Sequence, residues 1–273
     1  VDVDAHYTWV YGGDHPPDVD PDFPNDTFNH IILCVPNEQD TLWLECTSQT
    51  NPFGYMGSFT GDRSVVLINE NGGVLARTPS YPKEVNQQNT FAEVKVFSDG
   101  NAYASVDIEY TGTQYENGDL NFYIHQSDEE LGKWINNNTS IPKFKLNEFD
   151  FTLHANKIPS IDQEMSLDIP DFASVSGTRL FITPNLMNKW RSAPKRVSNR
   201  QTDVVLNIAY QDLDSIVYSI PEKYHLEYLP EAVTLETDFG AYSSTFKFID
   251  HQLIYIRKVS REKGTFSKER YDE

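Results

Sequence analysis

Hydrophobic and polar residues alternate with a period of two along most of this chain, the pattern of strands with one buried and one solvated face. The stretches 5–11, 28–35, 41–47, 64–69 and 74–78 are rich in β-branched and aromatic residues and read as strands. Breakers separate them: Gly12 and Gly13, then Pro16, Pro17, Pro21 and Pro24, and later Asn71, Gly72 and Gly73. A polar connector over 79–88 divides this series from a second one. There, 91–97 and 102–110 flank the hairpin turn Ser98-Asp99-Gly100-Asn101. Further strands are predicted at 119–126, 147–155, 163–169, 178–183, 203–210, 214–219, 232–237, 242–249 and 252–259. One helix is predicted at 128–136, with Ser127 as its cap and Asp128, Glu129 and Glu130 in its first turn. The expected architecture is mainly β with little helix: residues 1–82 as one antiparallel sheet, residues 83–273 as an antiparallel β-sandwich domain.

Composition changes this picture little. Fifteen Tyr, sixteen Phe and an aromatic content of 13% suit packed strands. The net charge of −19 argues against a nucleic-acid partner, because no surplus of Lys and Arg exists to displace counterions from phosphates. The basic stretch Lys189, Arg191, Lys195, Arg196 and Arg200 reads as a solvated loop. No apolar run is long enough to span a membrane. Val1-Asp2-Val3-Asp4 has neither the basic nor the apolar region of a signal peptide, and 261–273 reads as the start of a helix that stops without a cap. Both ends are read as cut.

No metal or cofactor is expected. Asp18, Asp20 and Asp22 have the alternate spacing of a calcium loop, but Phe23 stands where an EF-hand needs glycine and Asn29 where it needs its last glutamate.

Candidate chemistry sits in the hairpin formed by 28–35 and 41–47. A turn centred on residues 38 and 39 sets Cys34 opposite Trp43, Ile32 opposite Glu45 and His30 opposite Thr47. All six then share one face, and His30 and Glu45 are diagonal neighbours at roughly 5–8 Å between Cβ atoms. A carboxylate at that distance can fix the tautomer of an imidazole and stabilise its cation, which is what a Cys–His–acid site asks of its base and orienter. Ordinary cross-strand pairing would produce the same two residues. Cys34 and Cys46 fall on opposite faces, which argues against a disulfide between them.

The words around the hairpin resemble a known family. Phe28-Asn29-His30, a short apolar strand, a polar turn and then Trp43-Leu44-Glu45-Cys46-Thr47 look like the C-terminal half of a transglutaminase-like core of the papain-like cysteine protease group. There the histidine opens one strand and a Trp-x-Asp-Pro-Thr motif supplies the acid. The segments Asn51-Pro52-Phe53-Gly54-Tyr55, 63–68 and 73–79 are similar to a bacterial subgroup in which this core is flanked by β-rich domains. The resemblance implies catalytic roles for His30 and Glu45, with Asn29, Trp43 and Thr47 supporting them. The family's aspartate is Glu45 here, its proline is Cys46, and its nucleophilic cysteine lies upstream of the histidine strand, where this chain has none. A C-terminal fragment, inactive alone, is therefore implied. Its partners would be the N-terminal part of the same protein and a protein or cell-envelope polymer as substrate, in a periplasmic or secreted setting.

The alternative is a non-catalytic binding or scaffold module of the bacterial cell envelope, with the hairpin a degenerate remnant and exposed aromatics such as Trp134 and Trp190 as contacts. A carbohydrate-binding sandwich, resting on aromatics and acidity alone, ranks third.

Overall fold

The computed structural model describes residues 3–17, 19–23, 27–37, 41–190, 195, 197 and 199–271. The chain is mainly β, with two principal sheets. The first runs β1 (His6–Val10), β2 (His30–Pro36), β3 (Thr41–Leu44), a single turn α1 (Gly57–Thr60), β4 (Ser64–Asn69) and β5 (Gly72–Arg77). Its strands lie in the order β3-β2-β1-β4-β5, all antiparallel. One face buries Val10, Ile32, Cys34, Trp43 and Val65 together with Met56 from the loop before α1. The opposite face exposes Tyr7, Trp9, Ile31 and Leu75, with Trp9 directly paired to Ile31.

The second sheet contains the long strands. β6 (Gln87–Val96) and β7 (Ala102–Thr111) form the predicted hairpin. A 3₁₀ segment (Gly112–Asp119), α2 (Leu120–Tyr123) and α3 (Asp128–Asn138) follow, then β8 (Lys145–His154) and β9 (Ser160–Ile169). Short pairs come next, β10 (Ser174–Ser176) with β11 (Arg179–Phe181), and β12 (Val204–Leu206), which joins the later β17. β13 (Tyr210–Ser219), β14 (Val233–Thr237), β15 (Gly240–Ile249), β16 (Gln252–Arg261) and β17 (Gly264–Phe266) complete the strands among the described residues. The eight-stranded order is β14-β15-β16-β13-β6-β7-β9-β8, two antiparallel halves joined by one parallel pair, β6 with β13. Alternation has the same period in parallel and antiparallel strands, so the pattern alone could not announce that pair.

Strict alternation puts one face of this sheet in a single core. Ala92, Val94 and Val96 of β6 pack with Ala104, Val106 and Ile108 of β7, Leu167 of β9, Ile216 and Tyr218 of β13, and Tyr255 of β16. Helix α3 covers that face. Its first turn is acidic, Ser127 Oγ accepts the Glu130 amide hydrogen bond at 3.4 Å, and Leu131, Trp134 and Ile135 occupy its buried stripe. Trp134, expected as an exposed contact, is instead 5% exposed and donates Nε1–H to Gly118 O at 2.7 Å.

Two further expectations are corrected. Residues 119–126 form helical turns, because Gly118 and Asp119 adopt positive φ (58° and 61°) and swing fully buried Leu120 onto the core. The stretch read as the start of an α-helix, 261–273, is not one over its described residues 261–271. The chain leaves β16, pairs β17 with β12 and closes in a 3₁₀ turn at Lys268–Arg270.

Candidate functional site

The register predicted from the turn is the one observed: Cys34 opposes Trp43 and Leu33 opposes Leu44. The turn residues 38 and 39 themselves lie outside the described residues. The ladder ends at Leu44, so Glu45 is released from the sheet and turns toward His30. Its carboxylate meets imidazole Nε2 with both oxygens, Oε2 at 2.9 Å and Oε1 at 3.1 Å. Side-chain exposure is 16% for His30 and 3% for Glu45, so the pair is largely withdrawn from water.

Thr47 finishes the carboxylate cage. Its amide donates to Glu45 Oε1 at 3.0 Å and its hydroxyl donates to the same oxygen at 2.6 Å. Burial pushes the Glu45 carboxyl up, but the Thr47 hydroxyl, the Thr47 amide and His30 together outweigh it and hold the group below the ordinary glutamate value. A carboxylate only accepts hydrogen bonds, so Nε2 carries the proton in the neutral ring. Nδ1 is left with a lone pair and has no hydrogen-bond partner among the described residues. That nitrogen is the one able to take a proton.

The other expected residues hold the frame. Asn29 clamps the end of β1, accepting the Gly12 amide at 2.6 Å through Oδ1 and donating Nδ2–H to Gly12 O at 3.1 Å. Trp43 is buried beside Cys34 in the small core and does not contribute a polar contact to the pair.

Neither thiol joins this pair. Cys34 lies four residues along β2 from His30, about 13 Å at strand rise, is 1% exposed, and burial raises its thiol above the ordinary range. Cys46 is exposed, with Sγ turned to Leu44 O at 3.6 Å, and both cysteines are free. Asp20 accepts the Asp22 amide at 2.9 Å in a local turn. Asp18 of the calcium-like triplet, and Arg191 and Arg196 of the basic stretch, lie outside the described residues.

Three residues escaped the sequence reading. Phe59 of α1 packs its ring edge-on against His30 at 5.3 Å between centroids, and Gly12 lies so close beneath it that a Cβ there would meet Phe59 Cζ at 2.5 Å. Arg63 fastens the surrounding backbone, donating to Tyr11 O at 2.6 Å, Gly13 O at 2.8 Å and Ser58 O at 2.6 Å. Glu116 reaches over from the second sheet's connection and accepts from the Ser58 amide at 3.1 Å, the Ser58 hydroxyl and the Tyr55 hydroxyl at 3.0 Å. Burial raises the Glu116 carboxyl despite these donors. Tyr55 itself, 1% exposed, inserts into the core of the eight-stranded sheet against Tyr81 and Tyr115. These partners are more than fifty positions away in the chain, so no local motif marks them.

The model of a family described as a domain of unknown function with a solved structure, DUF3858, matches residues 178–273. That span holds β11 to β17, one antiparallel half of the large sheet, and does not include His30 or Glu45. Comparison with curated proteins and comparison with solved structures give no match.

Proposed function

We propose that this chain carries the base and the orienting acid of a transglutaminase-like Cys–His–acid site, completed by a thiol from outside residues 1–273. One observation carries the reading: a carboxylate caged by Thr47 grips Nε2 of His30 and leaves Nδ1 without a partner among the described residues. In the reaction, Nδ1 takes the thiol proton while the thiolate attacks an amide carbonyl. The imidazolium returns that proton to the departing amine, leaving a thioester. Water or a second amine then attacks the thioester, losing its proton to Nδ1, and the released thiolate is reprotonated from the ring. Glu45 keeps the ring oriented and offsets its charge in each half.

The burial of Cys34 and the outward turn of Cys46 support an external nucleophile. The family resemblance of the hairpin adds a periplasmic or secreted setting and a protein or envelope-polymer substrate. Among the described residues no helix is long and apolar enough to cross a membrane.

The test is an acyl-transfer assay on the protein that contains this chain, with a glutamine peptide as donor and a fluorescent primary amine as acceptor. His30→Ala is expected to lower kcat/KM by about 10³-fold or more. Full activity in His30→Ala would sink the reading, and so would the absence of both transfer and hydrolysis in the parent protein, which is what a non-catalytic module predicts. The 273-residue chain alone is expected to show no thiol-dependent turnover. Turnover that Cys34→Ser abolishes would assign the nucleophile to Cys34 and overturn the external thiol.

A further inference from the structure

A polar cleft of about 370 Å³ opens on the eight-stranded sheet, between the end of α3 and strands β6, β13 and β16. Its floor is an unusual piece of the core. Arg257 and Asp214, 5% and 2% exposed, form an ion pair at 2.6 Å, and Asn188 ties them together. Asn188 Nδ2 donates to Asp214 Oδ1 at 2.6 Å, and its carbonyl accepts Arg257 Nη1 at 2.7 Å. The guanidinium is not used up. Among the described residues Nη2 has no hydrogen-bond partner, although Arg257 lines the cleft.

Asp212 lies beside it with one oxygen engaged by Gln114 Nε2 at 2.7 Å and the other without a partner among the described residues. Burial pushes this carboxyl up to about 7, against the pull of Arg257, so near neutral pH it can accept or donate a hydrogen bond. Gln88 and Asn137 add amide groups to the wall, and the Trp190 indole stands at the rim, 74% exposed.

We propose that this cleft binds a neutral pyranose unit of a glycan, with Trp190 under the apolar face of the ring and Arg257, Asp212, Gln88 and Asn137 on its hydroxyls. The inference rests on three features. A sugar hydroxyl both donates and accepts, which suits a wall that presents guanidinium, carboxyl and amide groups side by side. The cleft's buried cation, Arg257, is already paired with Asp214 beneath it, so a neutral ligand adds no further charge beside that pair. An exposed indole at the mouth of a polar cleft offers a flat apolar platform with an electron-rich face for the ring's C–H bonds. The cleft is separate from His30, so its failure would leave the acyl-transfer reading untouched.

The experiment uses the 273-residue chain on an array of neutral and acidic glycans. Isothermal titration with cellotetraose, xylotetraose, mannotetraose and chitotetraose follows, together with any neutral glycan the array retains. At least one neutral glycan is expected to bind saturably and to quench tryptophan fluorescence. Trp190→Ala and Asn137→Ala, both at exposed positions and expected to melt like the parent, should each weaken it, Trp190→Ala by about tenfold. Retention of acidic glycans alone, retention of none, or undiminished binding by Trp190→Ala would each overturn the proposal.

Discussion

His30 Nε2 lies 2.9 Å from Glu45 Oε2, and that carboxylate is simultaneously held by the amide and hydroxyl of Thr47, two residues further on. Glu45 is thus fixed from its own side of the hairpin before it touches the ring. The longer side chain of glutamate is accommodated because β3 ends at Leu44, which frees the backbone at position 45 to retreat from the ladder. Glu45→Gln keeps the shape but offers an amide donor where the ring donates. It is expected to lower kcat/KM for acyl transfer by roughly 10²–10⁴-fold in the protein containing this chain. Steady-state kinetics with the glutamine-peptide donor would show it, and an unchanged kcat/KM would remove Glu45 from the site.

The same carboxylate makes a pH prediction. Its folded-state value lies below the ordinary 4.5, so it binds protons less readily folded than unfolded. Its contribution to stability is present above about pH 4.5 and is lost as pH falls through the depressed folded value. Thermal melts from pH 7 down to pH 3 should show the parent losing this increment in the acid range. In Glu45→Gln the increment is missing throughout.

The two thiols should separate kinetically. Cys46 is exposed and is expected to react with a thiol reagent in a fast phase. Cys34, 1% exposed and with its thiol raised by burial, should react only as the sheet opens. Mass spectrometry of the singly labelled species would locate the fast site, and early modification of Cys34 would contradict the burial.

Glu116 links the large sheet's connection to the turn that carries Phe59. Glu116→Ala leaves the Ser58 amide, Ser58 hydroxyl and Tyr55 hydroxyl without their acceptor and is expected to cost about 2–4 kcal/mol. Urea unfolding measures the loss. A drop below about 0.5 kcal/mol, the range of ordinary surface changes, would mean that the carboxylate does not anchor α1.

The buried Asp214–Arg257 pair should show strong coupling. Arg257→Met alone strands a carboxylate in the core and is expected to destabilise by roughly 3–5 kcal/mol. The double change with Asp214→Leu should recover much of that, because two apolar side chains leave no buried charge behind. Additive losses in the double-mutant cycle would refute the coupling.

Most strands were legible in the sequence because each is half-buried and alternates, and the pleat imposes that period whatever the neighbour. Ala102–Thr111 illustrates it, alternating buried and exposed positions within one residue of its predicted bounds, whereas the helix Asp128–Asn138 was marked by its cap and acidic first turn and ends two residues beyond its own. The hairpin register was legible too, since a two-strand turn relates its partners locally. What the sequence by itself determined, then, is a mainly β chain and a face on which His30 and Glu45 must lie. The parallel joining of β6 to β13, the helical turns at 112–123, the burial of Trp134 and the grip of Glu116 on Ser58 were decided by tertiary structure. Each depends on which distant surface a segment meets, and a period of two carries no record of that. For the site, the local chain sets which side chains share a face. Only the packed fold ends β3 early enough to aim Glu45, seats Phe59 against the imidazole and leaves Nδ1 without a partner among the described residues.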